Sequence, residues 1–167
     1  MFAGIGSGST ANSLFYHFIR KILCIMNNLL LDIALSQFGV TEAPGAADNP
    51  VIMSMARDCG FRDYLHDDIS WCSLFANWVA LKAGYQRSWS LMARSWLKVG
   101  LETSTFAEAD IVVLWRGEPA GLLGHVGFPI AQRNGLIYIL GGNQGDQVSI
   151  EGFDPARVLG FRQLSPI

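Results

Sequence analysis

Near residue 100 the apolar residues of this chain change period, from helical spacing to short β-branched and aromatic runs divided by turn residues. Leu30, Ile33, Ala34, Gln37 and Phe38 predict a first helix over 28–38, stopped by Gly39. Asn49-Pro50 joins a good N-cap to proline at the first helical position, which predicts a second helix over 50–58. Trp71, Leu74, Phe75, Trp78 and Val79 form one apolar stripe and predict a third helix, closed by Gly84. Trp89, Met92, Ala93 and Trp96 predict a fourth, capped by Ser88 or Ser90 and ended by Gly100. Beyond it, 110–115, 125–131, 136–141, 147–150 and 158–163 read as strands. Asn134-Gly135 marks a tight primed hairpin, and Pro129, lacking a ladder donor, belongs at an edge or bulge. Helices first and hairpin-linked strands after imply an α+β fold, its N-terminal helices packed on an antiparallel β-sheet.

A length of 167 residues suits one domain, and 50% hydrophobic against 16% charged residues excludes a disordered chain. The net charge of −2 gives no basis for a broad grip on nucleic acid or an anionic membrane. Arg20-Lys21 and Asn27-Asn28 interrupt the apolar run that starts at Leu14, so no stable membrane insertion is expected. Reading Arg20-Lys21 and Ile22 to Leu35 as a signal peptide meets Asn27, Asn28 and Asp32. Met26 stands just before the first helical pattern. Residues 1–27 are therefore expected to be a leader or start-site extension, and 28–167 the folded domain. Cys24, Cys59 and Cys72 are odd in number and lack zinc-ribbon spacing, which argues against a disulfide framework. Three histidines and scattered aspartates without ligand spacing leave no metal or cofactor expected.

Cys72 falls in the first turn of the third helix, where free N–H groups and the helix dipole favour a thiolate. Taken alone it is more readily a small buried hydrophobe. His125 opens a strand after the loop from Glu118 to Gly124, where an imidazole can take a thiol proton and return it to a leaving amine. A structural histidine is the competing reading. Asn143, in Gly141-Gly142-Asn143-Gln144, can orient that ring or serve as an ordinary turn asparagine. Asp68 and Trp71 flank the cysteine and can line a cleft, or serve the helix start and the core respectively. Gln144 can replace Asn143, contact substrate or simply face solvent.

In order, Asp67-Asp68-Ile69-Ser70-Trp71-Cys72-Ser73-Leu74-Phe75-Ala76-Asn77-Trp78, Ala93-Arg94-Ser95-Trp96-Leu97, Gly124-His125-Val126-Gly127-Phe128 and Gly141-Gly142-Asn143-Gln144 resemble motifs of small CHAP-type cell-wall hydrolases of bacteria and phages. These belong with the NlpC-type peptidases among papain-like cysteine hydrolases. The resemblance spans about residues 29–163 and does not reach residues 1–25. It implies a Cys72 nucleophile, His125 as base and Asn143 as third member, cleaving amide bonds of peptidoglycan stem peptides or cross-bridges. Asp68, Trp71 and Gln144 would support the site or contact substrate, with Arg94 and Trp96 serving structure. Ser70 stands where the family pattern has proline, and is expected to cap the helix instead. The protein would be made in a bacterial cytoplasm, or by a phage, and act at the wall. Its partner would be peptidoglycan, beside an export machinery or immunity partner of unspecified kind. A non-catalytic wall-peptide binder or secretion-associated adaptor on the same fold is the alternative. The same chemistry on another amide, such as a protein glutamine, is a third reading.

Overall fold

A computed structural model describes residues 29–167. The expected leader, and with it Cys24, lies outside the described residues. Helix α1 covers 29–35, α2 Pro50–Cys59 and α3 Cys72–Ala83, followed by a six-residue 3-10 helix, Ala93–Lys98. The strands are β1 Leu101–Thr103, β2 Ile111–Trp115, β3 Gly124–Arg133, β4 Leu136–Gly141, β5 Ser149–Phe153 and β6 Val158–Gln163. They form one antiparallel sheet in the order β1-β6-β2-β3-β4-β5. The α+β architecture is thus the expected one. No helix among the described residues is long and apolar enough to cross a membrane.

The helix signals act as read. The Asn49 side chain accepts from the Val51 N–H, and Gly60 and Gly84 end α2 and α3 in the left-handed conformation. Asn134 and Gly135 both take positive φ, 53° and 75°, as a primed turn requires. At Pro129 the β3–β4 register shifts before Ala131, so the missing donor coincides with an irregularity.

Helix α3 departs from the amphipathic expectation: Cys72 through Asn77, with Val79 and Ala80, are all buried. It lies inside the main core, among Ile52 and Met55 of α2, Trp96 of the 3-10 helix, and Val126, Phe128 and Leu140 of the sheet. Phe75 meets Trp71 and Phe128 edge-on at centroid separations of 6.5 and 6.1 Å. Along β2 the sides alternate. Ile111 and Val113 join this core, while Val112 and Leu114 join Ile137 and Ile139 in a second cluster flanked by Phe106, Phe153, Val158 and Phe161.

The fourth helix is shorter than expected and starts at Ala93, because Trp89 takes a left-handed φ of 56° and breaks the helical path. Buried polar groups of α3 hold that bend. Asn77 Nδ2 donates to Ser90 O (3.1 Å) and Ser88 Oγ (3.0 Å), and Asn77 Oδ1 accepts the Trp89 N–H (3.1 Å). Ser73 Oγ donates to Ser90 O (2.7 Å) and accepts from Trp96 Nε1 (3.0 Å). The strand expected over 147–150 begins instead at Ser149, since Val148 exchanges backbone bonds with the 39–40 segment. Edge strand β1 had no sequence signal: three residues are too few to show alternation.

Substituting Asn77→Ala removes a fully buried amide that accepts the Trp89 N–H and donates to Ser90 O, and should cost about 2–3 kcal/mol. Urea unfolding followed by tryptophan fluorescence measures this loss.

Candidate active site

Cys72 is the first residue of α3, with Trp71 at the N-cap. No side chain caps this end, so Ser70 does not act as the expected cap. Its hydroxyl is directed at the Cys72 sulfur, as are the backbone N–H groups of Val126 and Ser73. The sulfur sits beside the start of β3, one residue past His125. Burial is the dominant influence and pushes the thiol up from its ordinary value; the three donors and the Arg116 charge oppose it.

His125 pairs in register with Leu114 of β2 and is 2% exposed. Its ring stacks on Phe153 at 5.4 Å, and Nε2 lies 2.8 Å from Gln144 Oε1. The Gln144 amide is oriented by its other end, whose Nε2 donates to Ser149 O (2.7 Å) and Ile139 O (3.2 Å). Two carbonyls demand the NH2 group there, so the oxygen faces the imidazole. An oxygen can only accept. His125 Nε2 therefore carries the hydrogen, and Nδ1, buried and without a hydrogen-bond partner, carries the lone pair. Burial lowers the pKa of His125 to about 4; the Gln144 bond opposes this, and the charges of Arg116 and Arg157 add to it.

The bond expected of Asn143 is thus made by Gln144. Asn143 takes a left-handed φ of 57°, and its Nδ2 donates to Glu42 Oε1 at 2.6 Å. Trp71 Nε1 donates to the same oxygen at 2.8 Å, and the Trp71 ring is core rather than cleft wall. Asp68 is exposed and makes no hydrogen bond among the described residues, whereas its neighbour Asp67 is buried and accepts the N–H groups of Ala43 (2.8 Å) and Asn49 (2.7 Å). Glu42 and Asp67 were not singled out from the sequence. Their one local hint is the acidic residue type, which carries no position until the 42–49 loop is folded back on α3.

Arg94 serves structure, as expected. Its guanidinium donates to Leu123 O (2.9 Å), Pro119 O (3.0 Å) and Glu118 O (3.2 Å), fixing the loop that leads into His125. Among the described residues no group of three His, Cys, Asp or Glu side chains could hold a metal. The structure joins an imidazole in a defined tautomer to an uncharged orienter. Cys72 starts α3 in the main core, whereas His125 lies on the sheet side of Leu114 and Phe153, with no hydrogen bond between the sulfur and Nδ1. A thiol, an imidazole and an amide are a set able to perform nucleophilic acyl transfer. We found no family model and no curated protein that matches the chain.

Two buried groups give the stability opposing pH dependences. His125 falls from 6.5 to about 4 on folding, so its contribution is complete above pH 6.5 and is lost as the pH falls through about 4. Asp110 rises from 3.8 to about 6, chiefly through burial, so its contribution is complete below pH 3.8 and is lost as the pH rises through about 6. Between about pH 4 and 6 each changes stability by at most about 1.4 kcal/mol per pH unit, with opposite sign. Urea titrations across this window should show His125→Gln losing stability with rising pH relative to the parent, and Asp110→Asn gaining it.

Proposed function

We propose that this chain is a papain-like cysteine amidase or peptidase that hydrolyses amide bonds in the stem peptides or cross-bridges of peptidoglycan. One observation carries the reading. The His125 ring, with Nε2 held by Gln144 and Nδ1 bare, belongs to the strand whose next N–H points at the Cys72 sulfur. The wall substrate rests on the resemblance of the four motifs to CHAP- and NlpC-type hydrolases.

In this mechanism the Cys72 thiol passes its proton to His125 Nδ1 as the sulfur attacks the amide carbonyl. The backbone N–H of Cys72 supports the oxyanion of the tetrahedral intermediate. Collapse breaks the C–N bond, His125 returns the proton to the departing amine, and a thioester remains. Water, deprotonated by His125, then releases the acid and restores the thiol. Gln144 keeps the imidazole in the tautomer that accepts at Nδ1, so the third position is assigned to Gln144, with Asn143 bracing Glu42.

Incubating purified peptidoglycan with the protein and with Cys72→Ala, then analysing soluble fragments by mass spectrometry, tests the reading. New fragments are expected from the parent alone. Fragments from a folded Cys72→Ala variant would overturn the mechanism. Burial of both Cys72 and His125 favours, as a second reading, a module that binds wall peptides without cutting them. Binding with no fragments from either protein across several wall types would support that second reading instead.

The choice of Gln144 over Asn143 has its own test. Gln144→Ala should lower kcat/KM by about 10²-fold or more, and Asn143→Ala by far less. Gln144→Glu should move the acid limb of the pH–rate profile upward, because a carboxylate at Nε2 stabilises the imidazolium. An unmoved limb would count against Gln144 as the orienter.

A further inference from the structure

The 88–90 bend holds a residue in a conformation that its side chain disfavours. Trp89 has a left-handed φ of 56°, a region that bulky residues avoid, and it is 68% exposed. Three side chains fix it from below: Asn77 Oδ1 accepts the Trp89 N–H, while Ser73 Oγ and Ser88 Oγ donate to Ser90 O. Asn77 and Ser73 are fully buried. Backbone strain that buried groups over-determine, at a large apolar side chain left in solvent, marks a ring that is presented rather than packed.

The surroundings of that ring are cationic. The Arg87 guanidinium lies 3.6 Å from the ring centroid and covers one face of the indole; at 68% exposure the other face is open. Beside it is a cavity of about 310 Å³, the size of a small-molecule site, lined among others by Tyr85, Arg87, Trp89, Lys98 and Gly100. Arg87 and Lys98 both line it, and no acidic side chain does. The Arg87 side chain makes a long bond, 3.4 Å, to Cys59 O. The ion pairs among the described residues involve neither cation. Asp58, next to Cys59 in the chain, is taken by Lys82 (2.8 Å) and Trp78 Nε1 (3.0 Å).

We propose that this cavity binds a small organic anion built on a flat ring, with the ring on the open face of Trp89 and the carboxylate or phosphate on Arg87 and Lys98. An indole face stacks on a nucleobase and on the C–H face of a pyranose alike, so a nucleotide and a sugar acid share this chemistry. Guanidinium and ammonium groups without a carboxylate partner supply the charge complement. Neither Cys72 nor His125 lines the cavity, and the proposal does not rest on the hydrolase reading.

NMR titration of the isotope-labelled full chain tests it, with adenosine monophosphate and glucuronate as anions and adenosine and glucose as their neutral counterparts. Saturable shifts of the Trp89 indole and Gly100 amide signals, with a Kd of about 1 mM or below, are expected from at least one anion and from neither neutral compound. The anion that saturates names the ring class. Arg87→Gln and Lys98→Gln should each raise Kd about fivefold or more, and added salt should weaken binding. Trp89→Gly separates presentation from packing, because glycine takes the left-handed conformation without strain. This variant should keep or raise the urea midpoint of the parent while losing the Gly100 shift. A lowered midpoint would mean that the ring serves the fold, and overturns the proposal. Absence of saturable shifts with both anions overturns it too, as do equal shifts with the neutral counterparts.

Discussion

The contact between the first turns of α3 and the end of β4 sets the geometry of the site. Gly142 lies where a Cβ would come within 2.5 Å of Trp71 Cζ3 and 2.7 Å of Phe75 Cβ. Only a bare Cα lets the chain pass so close to these two rings. The approach brings the residues after β4 against the N-terminus of α3, beside the first residues of β3. It also leaves one turn in which to redirect the chain, and the left-handed Asn143 does so. Gln144 is thereby turned inward, to 3% exposure, and Asn143 outward to Glu42. The choice of which amide meets His125 is made by backbone sterics at Gly142, not by the chemistry of either side chain.

Two carboxylates tie the rest of the site to this contact. Glu42 receives both Trp71 and Asn143 on one oxygen, and Asp67 receives two backbone N–H groups of the loop that carries Glu42. The 39–42 segment is further laced to 146–148 by backbone bonds from Gly39, Glu42 and Val148. Segments distant in sequence are thus held on either side of α3 by charge-assisted bonds, which are stronger than neutral ones and more directional than the apolar packing beneath them. The price of such bonds in desolvation is moderated because Glu42 is only half-buried.

The elements with strong local signals were legible: α2 through Asn49-Pro50, α3 through its five-residue stripe, and the β3–β4 hairpin through Asn134-Gly135. What escaped was set by partners far along the chain. The burial of the whole Cys72–Asn77 stretch of α3 depends on the 88–90 bend and the sheet, which a single-helix pattern does not contain. The shift of β5 to Ser149 depends on the 39–40 segment claiming Val148. The places of Cys72 and His125 were legible because a helix start and a strand start are local features: α3 begins at Cys72 and β3 one residue before His125. Asn143 was favoured over Gln144 because Cys-His-Asn sites recur on unrelated folds and the resemblance implies an asparagine as third member; its actual place, at positive φ inside the turn, is that of the competing reading, an ordinary turn asparagine.

An amide, in place of a carboxylate, at His125 Nε2 has a definite electrostatic consequence. A buried carboxylate would hold the imidazole as a cation and draw the thiol into an ion pair. With Gln144 there, burial dominates both groups, lifting Cys72 and lowering His125, so the thiol and the imidazole each rest neutral. Charge on either group would then have to be created against burial, whereas an ion pair would hold it in advance.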